Sequence, residues 1–324
     1  MFSPPTLDEL FAASHVVSLP MRTKFRGVME REVMLFDGPA GWSEFGPFLE
    51  YGDLEAVRWL ASAVEAGWLG YPEPVRQWVP INATLPAVPV ELVPEVLGAF
   101  DGVHTVKIKV AEPGESLRDD AARVGAVRHL LPEAKIRIDA NAGWTVPQAV
   151  AALRMLSVFD LEYAEQPVAT VPEMAAVRRA MGGSVLIAAD ESVRKVSDPL
   201  AVARAGAADL IVVKAAPLGG VGRALDIVAE AGLPAVVSSA LDSSVGIRTG
   251  LALAAALPEL PFACGLGTVA LMAGDVTGTS LLASVGGMSV RDVTADPDRL
   301  EYFAAAPERQ QWWRERLRRC QALL

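Results

Sequence analysis

The chain has 324 residues, 52% of them hydrophobic and 21% charged, which is the composition of a globular protein and not of a disordered one. A net charge of -10 argues against nucleic acid as a partner and offers nothing to an anionic membrane surface, so an anionic substrate must be drawn by a local positive cluster. Only two cysteines occur, Cys264 and Cys320, which excludes a disulfide framework and suits a reducing cytoplasm.

The opening MFSPPTLDEL has no basic stretch ahead of an apolar run, so no secretory signal is expected. Every apolar stretch is broken by Gly, Pro or charge before it reaches spanning length, so no membrane insertion is expected either. Residues 16–36 alternate as a hairpin would, a Gly-rich turn follows at 38–48, and a helix is expected near 54–66. Residues 1–78 therefore form an expected α+β capping domain.

From residue 79 a strand–helix rhythm sets in. Strands are expected at 79–84, 105–110, 136–139, 160–165, 185–190, 209–214, 235–239 and 262–265, with helices at 116–131, 146–157, 171–181 and 222–232. Eight such units fit a closed (β/α) barrel of the TIM type over 79–276 better than an open sheet. Residues 277–324 leave the rhythm and end in a basic helical stretch, 309–324, expected to return to the cap with Trp312 or Trp313 packed down.

Four polar residues stand at the carboxyl ends of successive strands: Asp139, Glu165, Asp190 and Lys214, spaced by 26, 25 and 24 residues. A lysine pair, Lys107 and Lys109, occupies one face of the second strand. An acid at a strand end is ordinarily a helix cap, and lysines two apart are ordinarily a solvated edge. In a central barrel strand, however, unpaired lysines are costly, and the carboxyl ends of barrel strands carry the chemistry. Three oxygen donors without soft ligands suit a hard cation, Mg²⁺ or Mn²⁺. Such a cation stabilises the enediolate formed when a proton leaves the carbon beside a carboxylate. Positive charge beside Lys109 would favour its neutral, basic form.

The strings KIK (107–109), DAN (139–141), EQP (165–167), DES (190–192) and VVKAAPLGG around Lys214 resemble the enolase superfamily, in its muconate-lactonizing-enzyme-like branch. The resemblance covers nearly the whole chain. It implies Asp139, Glu165 and Asp190 as metal ligands and Lys109 and Lys214 as catalytic lysines, with Lys107, Asn141 and Glu191 in support. Within that branch, MRTKFRG (21–27), WVPINATLP (78–86) and SSALDSSVG (238–246) are similar to the short, actinobacterial o-succinylbenzoate synthase family. This implies metal-dependent dehydration of a cyclohexadiene carboxylate in menaquinone biosynthesis. Candidate contacts for the second substrate carboxylate are Arg22, Lys24 and Arg26 in the cap, and Ser238, Ser239 and Gly265 in the barrel.

Rival readings are an N-acylamino-acid racemase using the same two lysines, a muconate cycloisomerase, and an inactive barrel that only binds. GGVG (219–222) lacks the third glycine of a dinucleotide loop and the lysine of a P-loop, and reads as a βα turn. The hydroxyl-rich SSALDSS has no histidine after it, which argues against a Ser-His-Asp hydrolase and against the mandelate racemase branch. The last strand lacks the DxD string of dipeptide epimerases. The expected partner is a small carboxylate, with no obligate protein partner evident.

Overall fold

The computed structural model describes residues 3–25, 27–193 and 198–324. The amino-terminal sheet is a meander of β1 (Ser14–Phe25), β2 (Val28–Gly38) and β3 (Gly41–Phe45). Its antiparallel register runs from Ser14↔Phe36 to Pro20↔Glu30, then shifts before Phe25↔Val28. The helix Asp53–Val64 lays Ala56, Trp59, Leu60 and Ala63, all fully buried, into the core beneath this sheet.

The expected first barrel strand divides in two. β4 (Trp78–Pro80) pairs antiparallel with β12 (Gly287–Ser289), and only β5 (Ala83–Leu85) joins the main sheet. Pro80 has no N–H to donate, and its carbonyl instead accepts from Cys264 N at 2.7 Å. β6 (Thr105–Lys109), β7 (Lys135–Asp139), β8 (Leu161–Glu165), β9 (Leu186–Ala189), β10 (Leu210–Val213) and β11 (Ala235–Val237) follow, each parallel to the one before it.

The expected eighth strand shrinks to two residues, and these close the ring. Cys264 bridges Ile81 on one side and Gly265 bridges Ser238 on the other, both in parallel. Asn82 N donates to Cys264 O at 2.9 Å, and Gly265 N donates to Val237 O at 2.8 Å. The architecture is a modified (β/α) barrel with an α+β cap.

Helices cover the outside of the ring, and the sequence writes where several of them begin. Asp119, Gln148 and Glu173 each reach back three residues to accept from the N–H of Ser116, Thr145 and Thr170. Along the strands, period-two alternation with the register Lys107↔Arg137, Lys109↔Asp139 and Asp139↔Glu165 turns all of these side chains inward. Tyr163, Ala188, Leu210, Val212 and Val236, with Phe262 against them, fill the barrel floor. Below the lysines, fully buried Arg137 stacks on Tyr163 at 4.7 Å and donates to Asn82 Oδ1 and Ala263 O.

The helix Pro307–Gln321 packs on the cap. Trp313 Nε1 donates to Glu32 Oε2 at 2.9 Å, while Arg316 donates to the carbonyls of Phe48 and Tyr51. Trp313 is fully buried and Trp312 only half-buried. Among the described residues, no helix is long and apolar enough to cross a membrane.

Candidate active site

Three lysines and three carboxylates meet at the carboxyl ends of β6 to β10, and all six are buried or nearly so. Lys107 Nζ donates to both Glu165 oxygens, at 3.0 and 3.2 Å, and stands 3.4 Å from Asp139 Oδ2. Lys109 Nζ donates to Asp139 Oδ2 at 2.5 Å and to Asn141 Oδ1 at 2.6 Å. Across the mouth, Lys214 Nζ lies 2.5 Å from each oxygen of Asp190. Asn141 N donates to Asp139 Oδ1, and its side-chain amide donates to Glu191 Oε1 at 3.0 Å. Asn141 thus sets the distance between Lys109 and its acid.

The backbone is strained where it turns this constellation outward. Asn141 and Gln166, just past the strand-end acids, take φ of 42° and 40°, in the left-handed region. Asn tolerates that conformation because its short amide bonds locally. Gln166 is held by its side chain, which donates to Val168 O and accepts from Asp190 N.

Electrostatics split the cluster. Burial pushes the Glu165 carboxyl up to about 8, and the charges of Asp139 and Asp190 add to the push against Lys107. Burial also works against the Asp139 carboxylate, yet Lys109 and Lys107 together hold it well below the usual range. Burial lowers the Lys109 ammonium and the charge of Lys107 lowers it further, against the pull of Asp139. Lys107 goes the other way: burial disfavours its charge, but Glu165 and Asp139 outweigh it. Two amines two residues apart thus differ in basicity because they divide the acids unequally.

Among the described residues, no three acidic, histidine or cysteine side chains already stand as a cluster able to hold a metal ion. Each carboxylate is held by a lysine instead. The donor set nonetheless fits a hard cation: three carboxylates, oxygen only, stand at the ends of neighbouring strands, and burial with the charges of Asp139 and Asp190 disfavours the charge of one of them, Glu165, even with Lys107 against it.

The cleft above these residues is lined by Lys107, Lys109, Asp139, Asn141, Asp190 and Lys214. Ser238, Ser239 and Gly265, expected from the sequence, also line it. Ser239 Oγ donates to Gly265 O and pairs with Thr268 Oγ1, both at 2.9 Å. Arg22 and Lys24 do not join the wall. Arg22 is exposed and donates to Met272 O at 2.9 Å, facing a separate groove, because β1 turns its side chain away from the mouth. Lys24 is likewise exposed, and Arg26 lies outside the described residues.

The cap contributes aromatic rings instead. Phe25 and Phe48 line the cleft, with Lys109 Nζ 5.4 Å from the Phe25 ring centre. Phe25 sits within MRTKFRG, where its alternation with Lys24 marks it as the inward residue. Thr84 and Leu241 also line the wall, and no sequence signal marks either.

Two family models match the chain: "Enolase C-terminal domain-like" over residues 92–294 and "Enolase N-terminal domain-like" over residues 16–67. A protein of Mycolicibacterium smegmatis named o-succinylbenzoate synthase is 55% identical over 321 residues, covering 99% of this chain and 98% of that protein. One of Mycobacterium marinum with the same name is 54% identical, covering 99% and 97%. Among solved structures, muconate lactonizing enzyme from Pseudomonas fluorescens, complexed with muconolactone, superposes with a TM-score of 0.79 at 20% identity, covering 90% of this chain and 98% of that one. At that identity the likeness speaks for the fold alone.

Proposed function

This chain belongs to the o-succinylbenzoate synthase family of the enolase superfamily, and from that premise we propose that it dehydrates 2-succinyl-6-hydroxy-2,4-cyclohexadiene-1-carboxylate to 2-succinylbenzoate in menaquinone biosynthesis. The observation that carries the reading is that Lys109 and Lys214 reach one cleft from opposite sides of the ring of strands, above three buried acids.

Asp139, Glu165 and Asp190 are the residues that would hold a divalent metal, Mg²⁺ by preference and Mn²⁺ by the same hard chemistry. When bound, the metal supplies the charge that stabilises a substrate carboxylate on its way to an enediolate. Lys109 acts as the base: it takes the proton from the ring carbon bearing the carboxylate. Its lowered ammonium pKa makes the neutral amine accessible, and Asn141 keeps it aimed. Lys109 then returns the proton to the hydroxyl leaving from the same face, so that proton and hydroxide depart as water while the ring gains its aromatic sextet. Lys214 remains an ammonium on the opposite face and stabilises the developing negative charge, partly through the ring. Phe25 and Phe48 keep bulk water from the reacting face. The buried thiols of Cys264 and Cys320, both free, support a reducing cytoplasm as the working compartment.

Purified protein with Mg²⁺ should convert the cyclohexadiene substrate to 2-succinylbenzoate and turn over an N-succinyl amino acid far less well. Racemisation without dehydration would sink the reading in favour of an N-acylamino-acid racemase, which the same pair of lysines also suits.

A further inference from the structure

A second group of buried ionisable side chains lies outside the catalytic constellation, where the cap grips the loop after β11. Two cap residues enter the interface, Arg31 from β2 and Glu44 from β3, at 2% and 7% exposure. Arg31 Nε donates to Leu241 O at 3.0 Å, and its guanidinium also reaches Gly46 O and lies 4.5 Å over the Phe48 ring. Glu44 Oε2 accepts from both Ser243 N at 3.0 Å and Ser243 Oγ at 2.5 Å. Asp242 turns back on the same loop and accepts from Ala240 N at 3.1 Å.

These bonds bracket one residue. Leu241 sits at φ 60°, in the left-handed region that a side chain with a Cβ disfavours, and it is one of the residues lining the catalytic cleft. The approach is made possible by two glycines with no side chain to spare. A Cβ on Gly246 would stand 2.7 Å from Glu44 Cδ, and one on Gly46 would stand 2.9 Å from Glu44 Oε1 and 3.1 Å from Arg31 Nη2. A strained residue in a cleft wall, held at its own carbonyl by one buried cap side chain and two residues further on by another, is what an over-determined functional position looks like.

We infer that Arg31 and Glu44 are positioning residues: they hold Leu241 in its left-handed conformation, so that the cap fixes the cleft wall against which the substrate ring is seated. The inference rests on the dehydration reading only for its assay. Without the clasp, the loop relaxes toward an unstrained backbone and Leu241 leaves its place. Substrate binding then weakens, while the lysines that do the chemistry stay where they are.

The test is a double-mutant cycle on the full chain, with steady-state kinetics and calorimetric binding of 2-succinylbenzoate. Arg31→Lys keeps the charge but drops the Nε donor to Leu241. It should raise KM and weaken product binding by about tenfold, with kcat within about twofold, the pattern of lost uniform binding. Asn accepts the left-handed conformation, so in a Leu241→Asn background the same Arg31→Lys change should move KM less than about twofold. Glu44→Ala, which removes the acceptor for Ser243 N and Oγ, is read out in the same two backgrounds should Arg31→Lys fail to fold. An unchanged KM, an equal rise in both backgrounds, or a fall in kcat alone (a smaller folded fraction) would each overturn the inference. Wild-type protein without dehydratase activity would count against the dehydration reading, while product binding would still report on the clasp.

Discussion

On the β6–β8 side of the barrel mouth two lysines divide two acids, and Lys109 pulls on the same Asp139 oxygen that Lys107 approaches at 3.4 Å. On the β9–β10 side Lys214 is gripped by both oxygens of Asp190. In the first arrangement burial and the neighbouring Lys107 charge lower the Lys109 ammonium, against the pull of Asp139. The second holds an ammonium by two short charge-assisted bonds. Crowding like charges favours a neutral amine, and the two Asp190 oxygens hold the other amine in place. That difference supports the proposed roles, Lys109 as the base and Lys214 as its electrostatic partner across the ring.

The comparison breaks most sharply at Lys109. Lys109→Ala should lower kcat/KM by roughly 10³-fold or more, with Mg²⁺ affinity, measured by calorimetry, within about threefold of wild type. Lys109→Arg should be as inactive, because a guanidinium does not deprotonate. Lys214→Arg sharpens the contrast. It keeps the charge, so it should lose only about 10- to 100-fold, and equal losses for the two arginine variants would erase the distinction drawn between the sides. Glu165→Gln removes an anionic donor and should weaken Mg²⁺ binding at least about tenfold, with the fold retained by circular dichroism.

The smallest effect concerns stability. Burial first, then the charge of Asp242, raise the Glu44 carboxyl from 4.5 to about 8. The folded protein thus keeps a proton that the unfolded chain releases between those values. The stabilisation from this group is complete below about pH 4.5 and is lost as pH rises through about 8. Glu44→Gln should therefore flatten the decline in Tm between pH 5 and pH 8 by about 2–4 °C.

The constellation was legible because strand ends, period-two alternation and a spacing near 25 residues survive in one dimension. Asp139, Glu165, Asp190, Lys107, Lys109 and Lys214 all stand where that arithmetic puts them, at one mouth. What the arithmetic misses depends on contacts between distant segments. Ring closure rests on only two residues, Cys264 and Gly265, of the four expected at 262–265, because their pairing depends on Ile81 and Ser238 far along the chain. Arg22 and Lys24 read as substrate contacts because charge is visible in sequence, whereas the alternation that turns Phe25 inward beside them on β1 carries no sign of the barrel groups it meets. Glu44 and Arg31 sit 199 and 210 residues from the loop they hold, and no local pattern announces that pairing.

A crystal structure of the protein with Mg²⁺ and 2-succinylbenzoate tests the central claim most directly. The account predicts that the three lysine–carboxylate pairs open, that Asp139, Glu165 and Asp190 all bind the cation, and that Lys109 and Lys214 face opposite sides of the product ring. Carboxylates still paired to their lysines with the cation bound elsewhere, or both lysines on one face of the ring, would contradict it.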